Sequence, residues 1–355
     1  MNTNLPLVAE LMTEFAERTG LGSPQPPRRY LWTDAFAVCT FLGLARATGE
    51  GRFFELALKL IAQVHEVLGR HREPPRAWLS GLDDAHAALH PTQGGLRIGK
   101  PLPERAPGEE LDEAGEWERD GQSFHYLTRW MHALDQTARA TAQAQFNRWA
   151  LELADTAYAR FLHEGRLAWK MSVNLSRPLV ASPGRHDPLD GYVTVLQLRA
   201  TADRLGAPAG SSERALAGFS QLIEHGDWRT DDALCLGGLF VDAHRLAQLA
   251  PGHPLAGTLL ATGLDGVRAL FDRHVFDQPL ERRLAFRELG LAIGLHAAAA
   301  LGQPRYQELH SIAIALEQTW AAPEVRRSAL WREHLDINEV MLATALAPEG
   351  FLVLR

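Results

Sequence analysis

Two cysteines in 355 residues exclude a disulfide framework. Cys39 and Cys235 sit in apolar helical stretches and read as buried free thiols. No stretch approaches the ~18 uninterrupted apolar residues of a membrane span, so none is expected. Basic charge is in deficit: 36 Lys and Arg against 43 Asp and Glu leave a net charge of −7, without the basic face that nucleic acid requires. The opening Met1-Asn2-Thr3-Asn4-Leu5-Pro6 lacks the basic segment and apolar run of a secretory signal, which makes the cytoplasm the expected location. Gly94-Gly95-Leu96-Arg97-Ile98-Gly99-Lys100 has no strand before it and no helix after it to make a phosphate loop. No Gly-x-Ser-x-Gly elbow occurs. No cofactor is expected, and nothing sets an oligomeric state.

What is present is a pattern that recurs six times. A helix rich in small and apolar residues begins with polar or aromatic groups, and an amphipathic helix usually follows. The openings are Trp32-Thr33-Asp34, Asp120-Gly121-Gln122-Ser123-Phe124-His125-Tyr126, His186-Asp187-Pro188-Leu189-Asp190-Gly191-Tyr192, Trp228-Arg229-Thr230-Asp231-Asp232, Glu281-Arg282-Arg283 and Trp331-Arg332-Glu333-His334-Leu335-Asp336. A helix apolar on every side must be buried, so these form an inner layer covered by their amphipathic partners. The first pair runs from Asp34 to Thr48, then through Phe54, Ala57, Leu58, Ile61, Val64 and Leu68 at helical spacing. The second runs from Phe124 to Thr141, then through Phe146, Trp149, Ala150, Leu153, Ala157 and Phe161. Leu189 to Leu205 with Ser212 to Glu224, Asp231 to Ala250 with Leu255 to Phe276, and Leu280 to Leu301 with Tyr306 to Trp320 continue the series. A last inner helix, Val325 to Leu346, takes the amphipathic stretch Leu5 to Arg18 as its partner. Short extended elements are expected at Leu167 to Val173 and at Phe351 to Leu354.

The exception is residues 71–120, rich in Pro and Gly. Loops this long inside a compact domain are usually functional or disordered. The segment reads as a lid with little regular structure. Its acidic stretch, Glu104 to Glu118, is expected to be solvated and dispensable for folding, with Trp78 and Arg97 closer to the site.

On this helix alternation and these aromatic and acidic helix starts, the chain resembles the six-hairpin glycosidase-like superfamily, which includes N-acylglucosamine 2-epimerases and unsaturated glucuronyl hydrolases. The resemblance implies an all-α (α/α)6 toroid of about twelve helices, one domain over residues 1–355 with residues 71–120 inserted. It also implies that a sugar binds in the mouth of the ring, between the inner-helix openings and the loops before them.

The candidate catalytic residues are Asp34, Asp190, His125 and His334. Glycoside hydrolysis needs one protonated and one ionised carboxyl group; an isomerase needs a placed acid and base, often His. Asp34 and Asp190 also read as helix caps. Asp187 is the better placed to cap, so Asp190→Asn is expected to cost activity rather than stability. Candidate sugar-binding residues are Asp120, Gln122 and Tyr126 around the second opening, and Lys170, Arg177, Arg185, His186 and Asp187 around the third. Here the cations would neutralise an anionic sugar. The spacing in this third cluster is poor for zinc, and no metal is expected. Trp32, Trp78, Trp169, Trp228 and Trp331 offer aromatic faces, and Arg97, Asp232 and Asp336 offer charge. Glu288 is either a carboxyl of raised pKa or half of a structural ion pair. Arg129, Trp130 and His132 read as packing. Together these point to a glycosidase-like hydrolase of a small sugar or uronate. The alternatives are a sugar 2-epimerase using histidine and a non-catalytic saccharide-binding or scaffold protein.

Overall fold

The computed structural model of the chain describes residues 4–180, 182–210 and 212–354; the first three residues of the opening segment read above lie outside them. Among the described residues, twelve helices are at least twelve residues long. They are α1 (Leu5–Arg18), α2 (Leu31–Thr48), α3 (Gly51–Leu68), α4 (Phe124–Thr141), α5 (Ala144–Phe161), α6 (Asp187–Leu205), α7 (Ser212–Ile223), α8 (Ala233–Leu249), α9 (Pro254–Asp272), α10 (Ala285–Ala299), α11 (Gln307–Ala321) and α12 (Leu335–Leu346). Four two-residue strands, β1 (Gln122–Ser123), β2 (Leu162–His163), β3 (Arg166–Leu167) and β4 (Lys170–Met171), pair antiparallel as β1 with β4 and β2 with β3. The β2–β3 turn has Glu164 at φ 50° and Gly165 at φ 75°, the left-handed pair that a two-residue hairpin needs.

Heavily buried helices alternate with one-sided ones. In α4, every residue from Leu127 to Ala138 is buried, whereas α1 buries only the stripe Val8, Leu11, Met12, Phe15 and Ala16. The buried face of α3 carries Phe53, Ala57, Leu60, Ile61, Val64 and Leu68; Phe54 and Leu58, expected on it, stand at its edge.

Four expectations need correction. The last inner helix is broken: Pro323–Arg326 and Ala329–Glu333 are short helices, because the Ser328 side chain caps the second and backbone at His334 leaves helical geometry. Phe351, expected in an extended element, lies in a helical turn, Glu349–Leu352. Cys235 is exposed, since it follows the helix start at Asp232 on its open side; Cys39 is buried, and both are free. Residues 71–120 are tied into the body. They contain the short helices Asp84–Leu89 and Glu113–Glu116. The Leu31 N–H donates to Ile98 O, the Arg97 N–H to Leu68 O and the Ile98 N–H to Gly121 O.

Contacts divide the chain into two compact units. One comprises Met1–Glu17, Cys39–Phe54 and Asp227–Arg355; in it α8 packs on α9 and α10, and α10 on α11 and α12. There Gly237 and Gly290 let α8 and α10 meet backbone to backbone, since a Cβ on Gly237 would lie 2.2 Å from Gly290 O. The other comprises Arg18–Val38 and Glu55–Gly226; in it α4 packs on α5 and α6, and α7 covers α6 and α5. Here α4 is locked by Trp130, whose indole N–H donates to His65 Nε2 at 3.2 Å. Burial lowers His65 to about 3, so its ring stays neutral and free to accept. No helix among the described residues is long and apolar enough to cross a membrane.

Candidate functional site

Within the second unit, the starts of α4 and α6 bring together four polar side chains. The β1–β4 ladder fixes the start of α4, where the Phe124 N–H donates to Trp169 O at 3.0 Å. His125 and Arg129 follow at i, i+4, one above the other on the same helix face. Pro188 in the first turn of α6 needs no N–H partner, and this turn presents Asp187 and Asp190.

The His125 Nδ1–H donates to Asp190 Oδ2 at 2.6 Å, and Arg129 Nη2 donates to Asp190 Oδ1 at 2.7 Å. The Arg129 and Asp190 side chains are both 4% exposed, whereas that of His125 is 33% exposed. A carboxylate that orients imidazole through Nδ1 leaves the Nε2 lone pair to take up a proton. This geometry suits Asp190 to positioning the ring and His125 to exchanging a proton at Nε2. Asp187 is buried beside them, and its Oδ2 has no hydrogen-bond partner. This oxygen rests over Gly184, where an added Cβ would lie 1.9 Å from it. Burial, and next the Asp190 charge, push the Asp187 carboxyl well above the usual carboxylate range, against the pull of Arg129.

A raised folded-state pKa favours folding while the pH is below the unfolded value, and that advantage is lost as the pH climbs toward the folded value. Asp187→Asn is therefore expected to melt progressively higher than the parent as the pH rises above about 4. Melting curves recorded across pH check this, and a difference that does not change with pH would mean that Asp187 ionises normally.

One nitrogen of His125 and one oxygen each of Asp187 and Asp190 lie within 4.8 Å of one another, the one trio among the described residues that has metal-ligand spacing. A cation there would have to displace the His125–Asp190 bond and sit against the Arg129 guanidinium, so the donor set suits proton transfer better. Beside it, Tyr126 and Tyr30 hydroxyls meet at 2.6 Å. Burial and the Tyr126 neighbour hold Tyr30 well above the usual phenol range.

The other sequence candidates fall elsewhere. Asp34 Oδ2 accepts the Tyr30 N–H at 3.0 Å, and Arg29 lies 3.5 Å from its other oxygen. Arg97 donates to Asp120 Oδ2 at 2.5 Å and to the carbonyls of Arg70 and Val67. Gln122 ties Leu96, Gly94 and Val173 together. The Lys170 ammonium spends all three protons on Glu116 O, Glu116 Oε1 and Arg119 O, at 2.6, 2.8 and 2.9 Å. The stretch read as solvated thus supplies the counter-ion of a buried lysine, because burying Lys170 unpaired would cost more than ordering the loop. The Arg177 guanidinium donates to Arg105 O. Trp32, Trp78, Trp228 and Trp331 are buried, Trp169 is half-buried, and Arg185 is exposed. His186 occupies the N-cap position of α6 without a side-chain cap bond.

In the first unit, Asp232 caps α8 and pairs with Arg287. Glu288 forms a two-point pair with Arg283 at 2.7 and 2.6 Å and accepts the Trp320 N–H at 2.8 Å, which makes it the structural ion pair of its two readings. His334 is exposed against Phe286, and Asp336 lies in the first turn of α12. Two expectations about α6 change. His186 and not Asp187 holds the N-cap position, and Asp190 is the counter-ion of buried Arg129, so Asp190→Asn also costs stability by leaving that charge unpaired. Arg129, read as packing, belongs to the cluster. The sequence signal for it is a guanidinium four residues after His125, ahead of the apolar run of the same helix.

No family model matches the chain, and no curated protein matches it. Solved structures do. The chain is similar to an unsaturated glucuronyl hydrolase specific for heparin, with a TM-score of 0.58 and 10% identity over 99% of this chain and 96% of that one. It is also similar to cellobiose 2-epimerase from Bacillus thermoamylovorans B4167, with a TM-score of 0.54 and 8% identity over 90% and 88%. A D-mannose isomerase gives a TM-score of 0.51 and 12% identity over 90% and 86%. The chain has an (α/α)6 toroid fold like that of these structures.

Proposed function

We propose that the chain is a hydrolase of small unsaturated uronides, with His125 as its base, Asp190 as the group that positions it, and Asp187 as its acid. The carrying observation is the spacing. One ring nitrogen of His125 lies within 4.8 Å of an Asp187 oxygen, which sets the imidazole and the carboxyl side by side. Two carboxyl groups that straddle a glycosidic bond stand about 5 to 10 Å apart, on opposite sides of the sugar. An acid and a base this close act on one face of two adjacent carbons. Asp187, which keeps its proton to higher pH than an ordinary carboxyl, gives it to one carbon of the ring alkene. His125 Nε2 takes a proton from water as the hydroxyl adds to the neighbouring carbon, the one bonded to the ring oxygen. The hemiketal so formed opens, the hemiacetal left at the anomeric carbon collapses to an aldehyde, and the second sugar leaves as an alcohol. The proton on His125 returns to Asp187, so one water is consumed and no cofactor enters. Similarity of fold to an unsaturated glucuronyl hydrolase supports the substrate class only as analogy.

The test is a panel of unsaturated uronyl disaccharides, aryl glycosides, aldoses and N-acyl sugars. Loss of the alkene absorbance with release of a free sugar is the expected result. Exchange of solvent hydrogen into C2 of an aldose would assign the chain to epimerisation instead. Binding without any turnover would assign it to saccharide recognition.

A further inference from the structure

The β2–β3 hairpin and the bridge between Ala168 and Pro183 border an open cavity of about 770 Å³, lined by Arg105, Leu111, His163, Arg166, Leu179 and Pro183 among others. One residue beyond Ala168, Trp169 stacks on Trp117, with ring centres 5.0 Å apart and planes inclined by 25°. The Trp169 indole N–H reaches Ser182 Oγ at 3.3 Å, and Ser182 precedes Pro183. The stacked pair is therefore next in sequence to the bridge that borders the cavity, on both of its sides.

Trp117 is 58% exposed, in a chain that buries Trp32, Trp78, Trp130, Trp228, Trp320 and Trp331. Leaving that much apolar surface in water is unfavourable at roughly 25 cal/mol per Å². Its back is braced by Trp169 and its front is open, which suits the C–H face of a sugar ring. Arg105, Arg166 and His163 line the cavity with one acid, Glu164. Arg105 pairs with buried Glu116 at 3.4 Å, so the cations left to the cavity are Arg166 and His163. Arg105 is held in place by Leu179 O at 2.7 Å and Glu109 O at 2.6 Å, while Arg166 is exposed.

We propose that this strip is a second saccharide-binding site, which holds the continuation of an acidic saccharide chain. One sugar ring stacks on Trp117, and carboxylates meet Arg166 and His163. The choice of an acidic sugar rests in part on the uronide reading, while the existence of the site rests on the strip alone.

The test uses tetragalacturonate, a saturated chain that alkene hydration cannot consume, with maltotetraose as the neutral comparison. Binding is followed by quenching of tryptophan fluorescence and by calorimetry. Tetragalacturonate is expected to bind, more weakly as salt is added. Trp117→Ala, at an exposed position and checked for unchanged circular dichroism, should weaken it about tenfold or more, equal to at least 1.4 kcal/mol. Arg166→Ala should weaken tetragalacturonate and leave maltotetraose unaffected. His125→Gln should bind tetragalacturonate like the parent, so a failure of the catalytic reading and a failure of this site give different results. Parent-like affinity in Trp117→Ala, equal affinity for maltotetraose, or tighter binding of an oligouridylate would each overturn the proposal.

Discussion

His125→Gln is expected to lower turnover of unsaturated uronides by roughly 100- to 10,000-fold, the range over which a placed proton-transfer group acts. The glutamine amide can still donate to Asp190 Oδ2, so the carboxylate keeps a partner, and the side chain replaced is 33% exposed in the parent. The melting temperature should therefore hardly move. Asp190→Asn should behave differently. It disorients His125, so activity falls, and it strips buried Arg129 of its counter-ion at 2.7 Å, so stability falls as well. Rates on one unsaturated disaccharide and melting curves of both variants separate the two roles. A glutamine variant with parental turnover would remove His125 from the mechanism.

Glu116→Ala should destabilise the second unit by about 3–5 kcal/mol, as expected when a buried ion pair loses one partner. Lys170 and Glu116 are both buried, and the pair closes at 2.8 Å. Burial pulls the lysine pKa down while Glu116, and after it Asp120, holds it up, so removing Glu116 takes away the larger part of the compensation. The double replacement Glu116→Leu with Lys170→Met should recover much of the loss, because apolar side chains of similar volume need no counter-charge. Urea unfolding followed by tryptophan fluorescence measures all three. If Lys170 instead met the substrate, Glu116→Ala would unfold at the parental midpoint, and Lys170→Met would raise KM alone.

These two predictions mark where the amino-acid sequence is legible. The all-α architecture follows from apolar periodicity, and α1 and α4 begin and end where that periodicity places them, at Leu5 and Arg18 and at Phe124 and Thr141. Asp187, Asp190 and His125 stand out because they cluster at helix starts. Sequence says far less about where a charge goes. Lys170 and Arg97 read as ligands for a sugar because a lone cation is normally exposed. Their partners Glu116 and Asp120 lie 54 and 23 residues away, and nothing local announces them. Arg129 is the converse case, a site residue hidden among apolar neighbours because its partner is 61 residues distant. Serine caps and single-turn breaks are equally hard to read, which is why Val325 to Leu346 looks continuous.

The unit that contains α1 is assembled from three separated stretches, Met1–Glu17, Cys39–Phe54 and Asp227–Arg355. Glu10 on α1 pairs with Arg326, 316 residues further on. On the ribosome, Glu10 emerges long before Arg326, so this pair can close only late. The apolar stripe of α1, Val8, Leu11, Met12 and Phe15, belongs to a unit whose largest stretch, Asp227–Arg355, is made after the other two. The second unit, nearly continuous from Glu55 to Gly226, can condense while α1 waits. Completion of the first unit is therefore the late step.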